Sequence, residues 1–172
     1  DLMLERNGRN NLYVTLCNYE HGSLDSSLGM MRHPGSVLGL GDGGAHCGTI
    51  CDGSYPTFML THWVRDRTRG ERLPLPAVVK LLSCDTARAV GLEDRGLIAP
   101  GYKADLNLFD LDRLRLHAPE VAHDLPSGGR RLVQRADGYT ATIVSGAVVY
   151  RGGVPTGLLP GRLVRGPQAP AL

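Results

Sequence analysis

The chain has 172 residues, 19 Lys plus Arg against 17 Asp plus Glu for a formal charge of +2, with 42% hydrophobic and 5% aromatic residues. That is the composition of a folding globular chain, and its length holds one domain, or one with a small appendage, short of the ~250 residues of a complete α/β barrel. Near-balanced charge and few aromatic rings give neither the electrostatic footprint nor the stacking surface of a nucleic-acid binder, so nucleic acid is excluded as a partner.

Four cysteines, Cys17, Cys47, Cys51 and Cys84, make no disulfide framework and suit a reduced, cytoplasmic protein. No apolar run approaches the ~18 residues of a membrane span, so no membrane partner is expected. The opening Asp1-Leu2-Met3-Leu4-Glu5-Arg6 has no initiator Met and no apolar signal region, and reads as the start of a cut piece.

Leu12 to Cys17 is a short β-rich apolar run and predicts a buried strand. Ser23 offers an N-cap for a short helix carrying Leu24, Leu28, Met30 and Met31, which stops at His33-Pro34 because the residue before a proline avoids the α region. Ser36 to Leu40 predicts a second strand, ending in the cluster Gly41-Asp42-Gly43-Gly44. Tyr55 to Arg67 places Phe58, Leu60, Trp63 and Val64 on one side of a helix, and another opens at Pro76 and closes at Gly91. Beyond a boundary near Gly91 to Gly96 the texture turns to β: an alternating strand over Ala104 to Asp110, a long polar excursion, and a hairpin over Thr140 to Tyr150 about Ser145-Gly146. The tail after Pro160 reads as extended and partly mobile.

Gly39-Leu40-Gly41-Asp42-Gly43-Gly44 satisfies GxGxxG, but a dinucleotide site needs a helix opening at once, and Ala45 to Ser54 reads as loop. Asp42 is the candidate instead. A carboxylate at the C-terminal end of a parallel strand sits where α/β barrels place catalytic groups, able to ligate zinc or take a proton from metal-bound water. The alternative left open by the spacing is a turn in which Asp42 caps a backbone amide. Gly43 and Gly44 would let a ligand come close, and His46, four positions on, would line the same cleft and touch substrate. Cys47 and Cys51 have no partner pair at zinc-finger spacing and are expected to be small buried hydrophobes. His21, His62, His117 and His123 carry no distinguishing spacing, and Arg130, Arg131 and Arg135 read as a solvated edge.

Three strings taken together, Leu40 to Cys47, Asp85-Thr86-Ala87-Arg88-Ala89-Val90-Gly91-Leu92, and Arg95 to Asp110 with its Ala99-Pro100-Gly101-Tyr102-Lys103-Ala104-Asp105-Leu106, resemble the C-terminal third of the amidohydrolase superfamily. The likeness is greatest to the N-acyl-D-amino-acid deacylase (D-aminoacylase) branch and extends to the closing Val144 to Val149 hairpin. The resemblance implies an α/β fold class: a C-terminal fragment of a metal-dependent (β/α)8 barrel plus part of a small β-sandwich. Residues 1–92 would supply the last barrel strands and closing helices, with Ser36 to Leu40 the final strand, and 93–172 the C-terminal share of the sandwich with its mobile tail. It also implies that Asp42 is catalytic and a metal ligand, and that His46, with Gly43 and Gly44, is substrate-binding.

Two departures from the family pattern stand out. Gly41 occupies a position where members often carry Ser, and Gly43 to Val64 contains neither the Arg that deacylases use for the substrate carboxylate nor any Lys. The family's His-x-His pair lies on earlier strands and no His-x-His occurs here, while a catalytic zinc takes about three protein ligands. The implied function is therefore that of a zinc-dependent amide hydrolase fragment, inactive alone, whose parent acts on an N-acyl amino acid or related amide. The alternatives are a cyclic-amide hydrolase of hydantoinase or dihydropyrimidinase type, and a non-catalytic assembly module. A barrel piece leaves sheet edges and helix faces uncovered, so self-association or packing with a missing N-terminal part is expected.

Overall fold

Residues 1–8, 10, 12, 14, 17–19, 21–39 and 46–171 are described by the computed structural model, grouped into two units, Asp1–Ser36 and Val37–Leu172. In the first unit the expected helix forms as Asp25–Arg32, one residue later than a Ser23 N-cap implies: Leu24 is the N-cap, without a side-chain capping bond, and Ser23 Oγ accepts the Asp25 N–H at 3.2 Å. It ends at His33, whose extended backbone (ψ 130°) is the conformation Pro34 imposes. Leu28 is its buried residue. The strand expected over Leu12 to Cys17 is not formed at Leu12, Val14 or Cys17, and Tyr13, Thr15 and Leu16 lie outside the described residues. A strand needs a ladder partner for its N–H and C=O groups, and no strand lies among the described residues of this unit.

The other expected strand runs from Ser36 to Leu40. Ser36 to Gly39 carry no strand pairing, and Leu40 is outside the described residues. The reason is of the same kind: every sheet among the described residues is antiparallel, so no flanking parallel strand of the kind a barrel strand pairs with is found among them.

The helix predicted from Tyr55 is α-helical over Tyr55–Phe58 and then π-wound over Met59–Asp66, with Arg67 N–H bonded to His62 O at 2.9 Å. The wider winding moves the buried stripe. Met59, Leu60, Thr61 and Trp63 are buried, whereas Phe58 is 38% exposed. The next helix opens one residue early, at Leu75, runs Leu75–Lys80, widens over Leu81–Asp85 and closes over Thr86–Ala89. Gly91 (φ +75°) stops it as expected: its N–H bonds Arg88 O at 3.0 Å and Leu92 N–H bonds Ala87 O at 2.8 Å, the paired bonds of a Schellman cap.

From Leu106 the described residues form strands. β1 (Leu106–Phe109), β6 (Tyr139–Val144), β7 (Ala147–Arg151) and β8 (Val154–Pro155) make one antiparallel sheet in the order β1-β6-β7-β8. A register shift between Leu108 and Phe109 breaks the alternation expected of β1 and leaves Leu108 46% exposed. The Ser145-Gly146 hairpin forms as predicted, with both residues at positive φ (50° and 81°) as a two-residue loop of this hand requires. Asp105 Oδ1 accepts the Ser145 N–H at 2.8 Å and Ala104 O accepts that of Gly146 at 2.9 Å, so the Lys103-Ala104-Asp105 string holds the turn.

The polar excursion is not structureless. β2 (Arg115–Leu116) pairs with β5 (Ala136–Asp137), and β3 (Glu120–Leu125) with β4 (Gly129–Val133). The tail is extended, with its far part tethered: Glu93 N–H bonds Gln168 O, Gln168 N–H bonds Gly91 O, and Ala171 N–H bonds Gly101 O, at 2.8 to 3.0 Å. No helix among the described residues is long and apolar enough to cross a membrane.

Candidate functional site

Asp42, Gly43 and Gly44, the residues on which the catalytic and ligand-approach expectations fall, lie outside the described residues. His46, the remaining candidate, is exposed and stands at positive φ (45°), a conformation uncommon for a non-glycine residue. Its carbonyl accepts the N–H of Thr49 at 2.8 Å, the N–H of Ile50 at 3.1 Å and the Thr49 hydroxyl at 3.1 Å. The backbone of His46 thus builds a tight turn and leaves the imidazole toward solvent.

The loop from His46 to Ser54 is anchored to the strand-bearing part, a feature the spacing of the sequence did not reveal. Cys47 O accepts the Leu132 N–H of β4 at 2.7 Å. Ser54 Oγ donates to Gln134 Oε1, and Gln134 Nε2 donates in turn to His117 O at 2.8 Å. The loop from His46 to Ser54 is therefore held by Leu132 of β4 and by Gln134 just beyond it. Cys47 and Cys51 are half-buried rather than buried as expected. Burial, and then the Asp52 carboxylate, push the Cys51 thiol up, away from the reactive thiolate.

The helix behind the loop is fastened to the same part by Thr57 Oγ1, 2.8 Å from Tyr139 Oη, and by Arg65, whose guanidinium donates to Leu111 O and, at 2.9 Å, to Leu114 O. Arg65 also pairs with Asp66 at 2.6 Å, and that hydrogen bond holds the Asp66 carboxyl below its usual range. Arg67, 3% exposed, lies over the Trp63 ring at 4.4 Å and donates to Arg69 O at 2.6 Å and Glu71 O at 2.8 Å. His62 stacks on Phe58 with ring centroids 4.7 Å apart, and its buried Nε2 has no hydrogen-bond partner among the described residues. Burial first, then the Arg67 charge, lower its pKa, so the neutral ring is favoured. Of the other histidines, His117 Nε2 meets Asp137 Oδ2 at 2.7 Å and His123 Nδ1 lies 3.4 Å from Gly128 O, both ordinary surface contacts. Arg131 and Arg135 pair with Asp124 and Glu120 at 2.7 and 2.9 Å, consistent with a solvated edge.

The metal implied by the resemblance can be tested against these side chains. Among the described residues no group of three or more His, Cys, Asp or Glu side chains is placed to hold an ion. About three protein ligands are needed for a catalytic zinc, so the described residues do not fit that group on their own.

Helices joined through such contacts to a small antiparallel sheet make up most of the span that matches a known family. The Amidohydrolase family model matches residues 14–150, and the chain belongs to the amidohydrolase family. Among curated relatives, the 5-methylthioadenosine/S-adenosylhomocysteine deaminase of Pelotomaculum thermopropionicum is 36% identical over 119 residues, 67% of this chain and 26% of that protein. The enzyme of the same name from Desulfitobacterium hafniense is 33% identical over 84 residues, 48% of this chain and 19% of that protein. The adenine deaminase of Sinorhizobium fredii is 42% identical over 73 residues, 42% of this chain and 12% of that protein. The chain thus spans 12% to 26% of the length of these relatives. No solved structure gives a significant match.

The family and these relatives act on non-peptide C–N bonds, and the relatives named are deaminases rather than D-aminoacylases.

Proposed function

We propose that this chain is the C-terminal share of a metal-dependent hydrolase of a non-peptide C–N bond, inactive by itself. The observation that carries the proposal is the family match over residues 14–150, set against relatives of which the chain covers no more than 26%. The reaction adds the oxygen of water to the carbon and breaks the C–N bond, with a proton passing to the departing nitrogen. Asp42 is the proton carrier in this proposal. Zinc is the metal, with most of its ligands contributed from outside this chain, and the compartment is the cytoplasm, on the strength of the four unpaired cysteines.

Two substrate classes remain in play. Deacylation of an N-acyl-D-amino acid is supported by the three motif strings from Leu40 to Asp110. Deamination of an aminopurine is supported by the names of the relatives and by one property of the loop: His46 to Val64 contains no Arg or Lys, leaving no cation there for a substrate carboxylate. The exposed Leu2, Met3 and Leu4, each at least 60% accessible, are proposed to pack against the remainder of the hydrolase or a second copy.

A substrate panel on the whole hydrolase separates the two classes. Free amino acid released from N-acyl-D-amino acids supports the first, and ammonia released from adenine or 5′-methylthioadenosine supports the second. Enzyme-like turnover by these 172 residues alone would overturn the claim that they are an inactive share.

A further inference from the structure

Gly138 (φ +94°) carries the chain from β5 into β6, and a Cβ there would stand 2.6 Å from Leu114 Cα, so the segment leading into β2 and the start of β6 meet at close quarters. Around this bend lies an open hollow of about 1410 Å³. Its walls carry Arg113, Arg115, Arg135 and Arg151 against Asp110, Glu120 and Asp137.

The acids already have hydrogen-bond partners. Glu120 Oε1 accepts from Arg135 at 2.9 Å, and Asp137 Oδ2 meets His117 Nε2 at 2.7 Å even though Asp137 stands opposite Arg115 in the ladder. Asp110 Oδ1 accepts the backbone N–H of Asp112 and Arg113 at 3.0 and 3.3 Å. Arg113, Arg115 and Arg151 are left exposed, with no ion pair among the described residues. Elsewhere Arg65, Arg95 and Arg131 each have an aspartate oxygen within 2.7 Å, so three free guanidiniums around one hollow, in a chain of net charge only +2, are a local excess.

We infer that this hollow binds a polyanion carrying several phosphate groups, through Arg113, Arg115 and Arg151. A guanidinium offers a planar fork of N–H donors that matches a phosphate bidentately. The volume exceeds the ~300–1,000 Å³ of an ordinary small-ligand pocket, and the cations sit on β7 and on the segment leading into and through β2, so a ligand with charges in series fits better than a single ion. The site is independent of the C–N chemistry and needs no residue of the Asp42 loop.

The test is calorimetric titration of the full chain with inorganic tripolyphosphate at fixed ionic strength, folding being checked by circular dichroism. The expected result is saturable binding that weakens as salt rises, falls at least tenfold in the double variant Arg113→Gln/Arg151→Gln, and is unchanged in Arg130→Gln, which lies outside the hollow. Should the double variant lose its folded spectrum, Arg115→Lys decides: a several-fold loss supports recognition by the guanidinium fork, and none overturns it. Absence of saturable binding, undiminished binding by a folded double variant, or equal displacement by citrate at matched ionic strength overturns the assignment to phosphate.

Discussion

The helical stretch from Thr57 to Ala87 and the strand-bearing stretch from Leu106 to Pro155 are stabilised by different means. The helices hold the core: Met59, Leu60, Trp63, Val78 and Cys84 are all at or below 5% exposure. Of the strand residues and their connections, Leu114 and Ala141 are the buried hydrophobes, and the rest is held by ladders and by the bonds to Asp105, Gln134 and Tyr139. One part is cohesive through apolar burial. The other is a hydrogen-bonded frame that gains its place by being fastened to the first, and it is this frame that holds the loop from His46 to Ser54.

That contrast can be broken most forcefully at Trp63. Trp63→Ala removes a side chain 3% exposed together with the ring beneath Arg67, and is expected to cost about 3–5 kcal/mol in chemical denaturation. A loss below ~1 kcal/mol would mean that the helical part is not the core. Leu114→Ala, at 0% exposure, is expected to cost about 2–5 kcal/mol, while Leu108→Ala, at 46% exposure in the same part, should stay within about 0.5 kcal/mol. Equal losses at the two leucines would erase the distinction between anchor and frame.

Gly138→Ala tests the fastening itself. With φ at +94° and Leu114 Cα 2.6 Å from the added Cβ, the substitution is strained and crowded, and should destabilise by more than ~1 kcal/mol. Urea midpoints would show it, and Gly146→Ala, at φ +81° in open space, should lose less.

The smallest effect is a pH dependence. The folded-state pKa of His62 lies below its ordinary 6.5, so the unfolded chain binds the extra proton more readily. Its contribution is fully present above pH ~6.5 and is lost as pH falls toward the lowered value. The side chains that shape this are Phe58 and Trp63 against the ring, with Arg67 opposing and Asp66 favouring its charge. His62→Phe keeps the stack and removes the orphaned nitrogen, so stability between pH 7.5 and 5 should fall less in the variant than in the wild type. An identical slope would remove His62 from the account. The Asp66 carboxyl, lowered by Arg65, adds a further loss only in strongly acidic solution, below its ordinary 3.8.

What was legible in the sequence was whatever local chemistry decides. Pro34, Gly91 and the Ser145-Gly146 pair act through their own backbone preferences, and each does in the structure what the sequence predicts of it, while Ser23 stands one residue before the N-cap, Leu24. What was not legible depends on distant partners. The strands expected at Leu12 to Cys17 and Ser36 to Leu40 carry the right residues but form no strand among the described residues. The β3–β4 ribbon has no apolar alternation to mark it, because Glu120, His123, Asp124, Arg130 and Arg131 give it a polar surface on both strands, although Pro126-Ser127-Gly128 between them is a turn signal. The π-wound stretch Met59–Asp66 shifted the buried stripe in a way that a 3.6-residue period does not anticipate. At the candidate site, motif resemblance identified the family, while the anchoring of the His46 to Ser54 loop through Leu132 and Gln134 is a tertiary fact with no local signature.

The central claim is that the chain contributes Asp42 to a C–N hydrolase. The direct measurement is turnover of the two substrate classes by the whole hydrolase, wild type and Asp42→Asn, with folding checked by circular dichroism. The account predicts that the variant keeps its fold and loses rate by several powers of ten, as removal of a proton carrier does. A folded Asp42→Asn enzyme with wild-type turnover would contradict it.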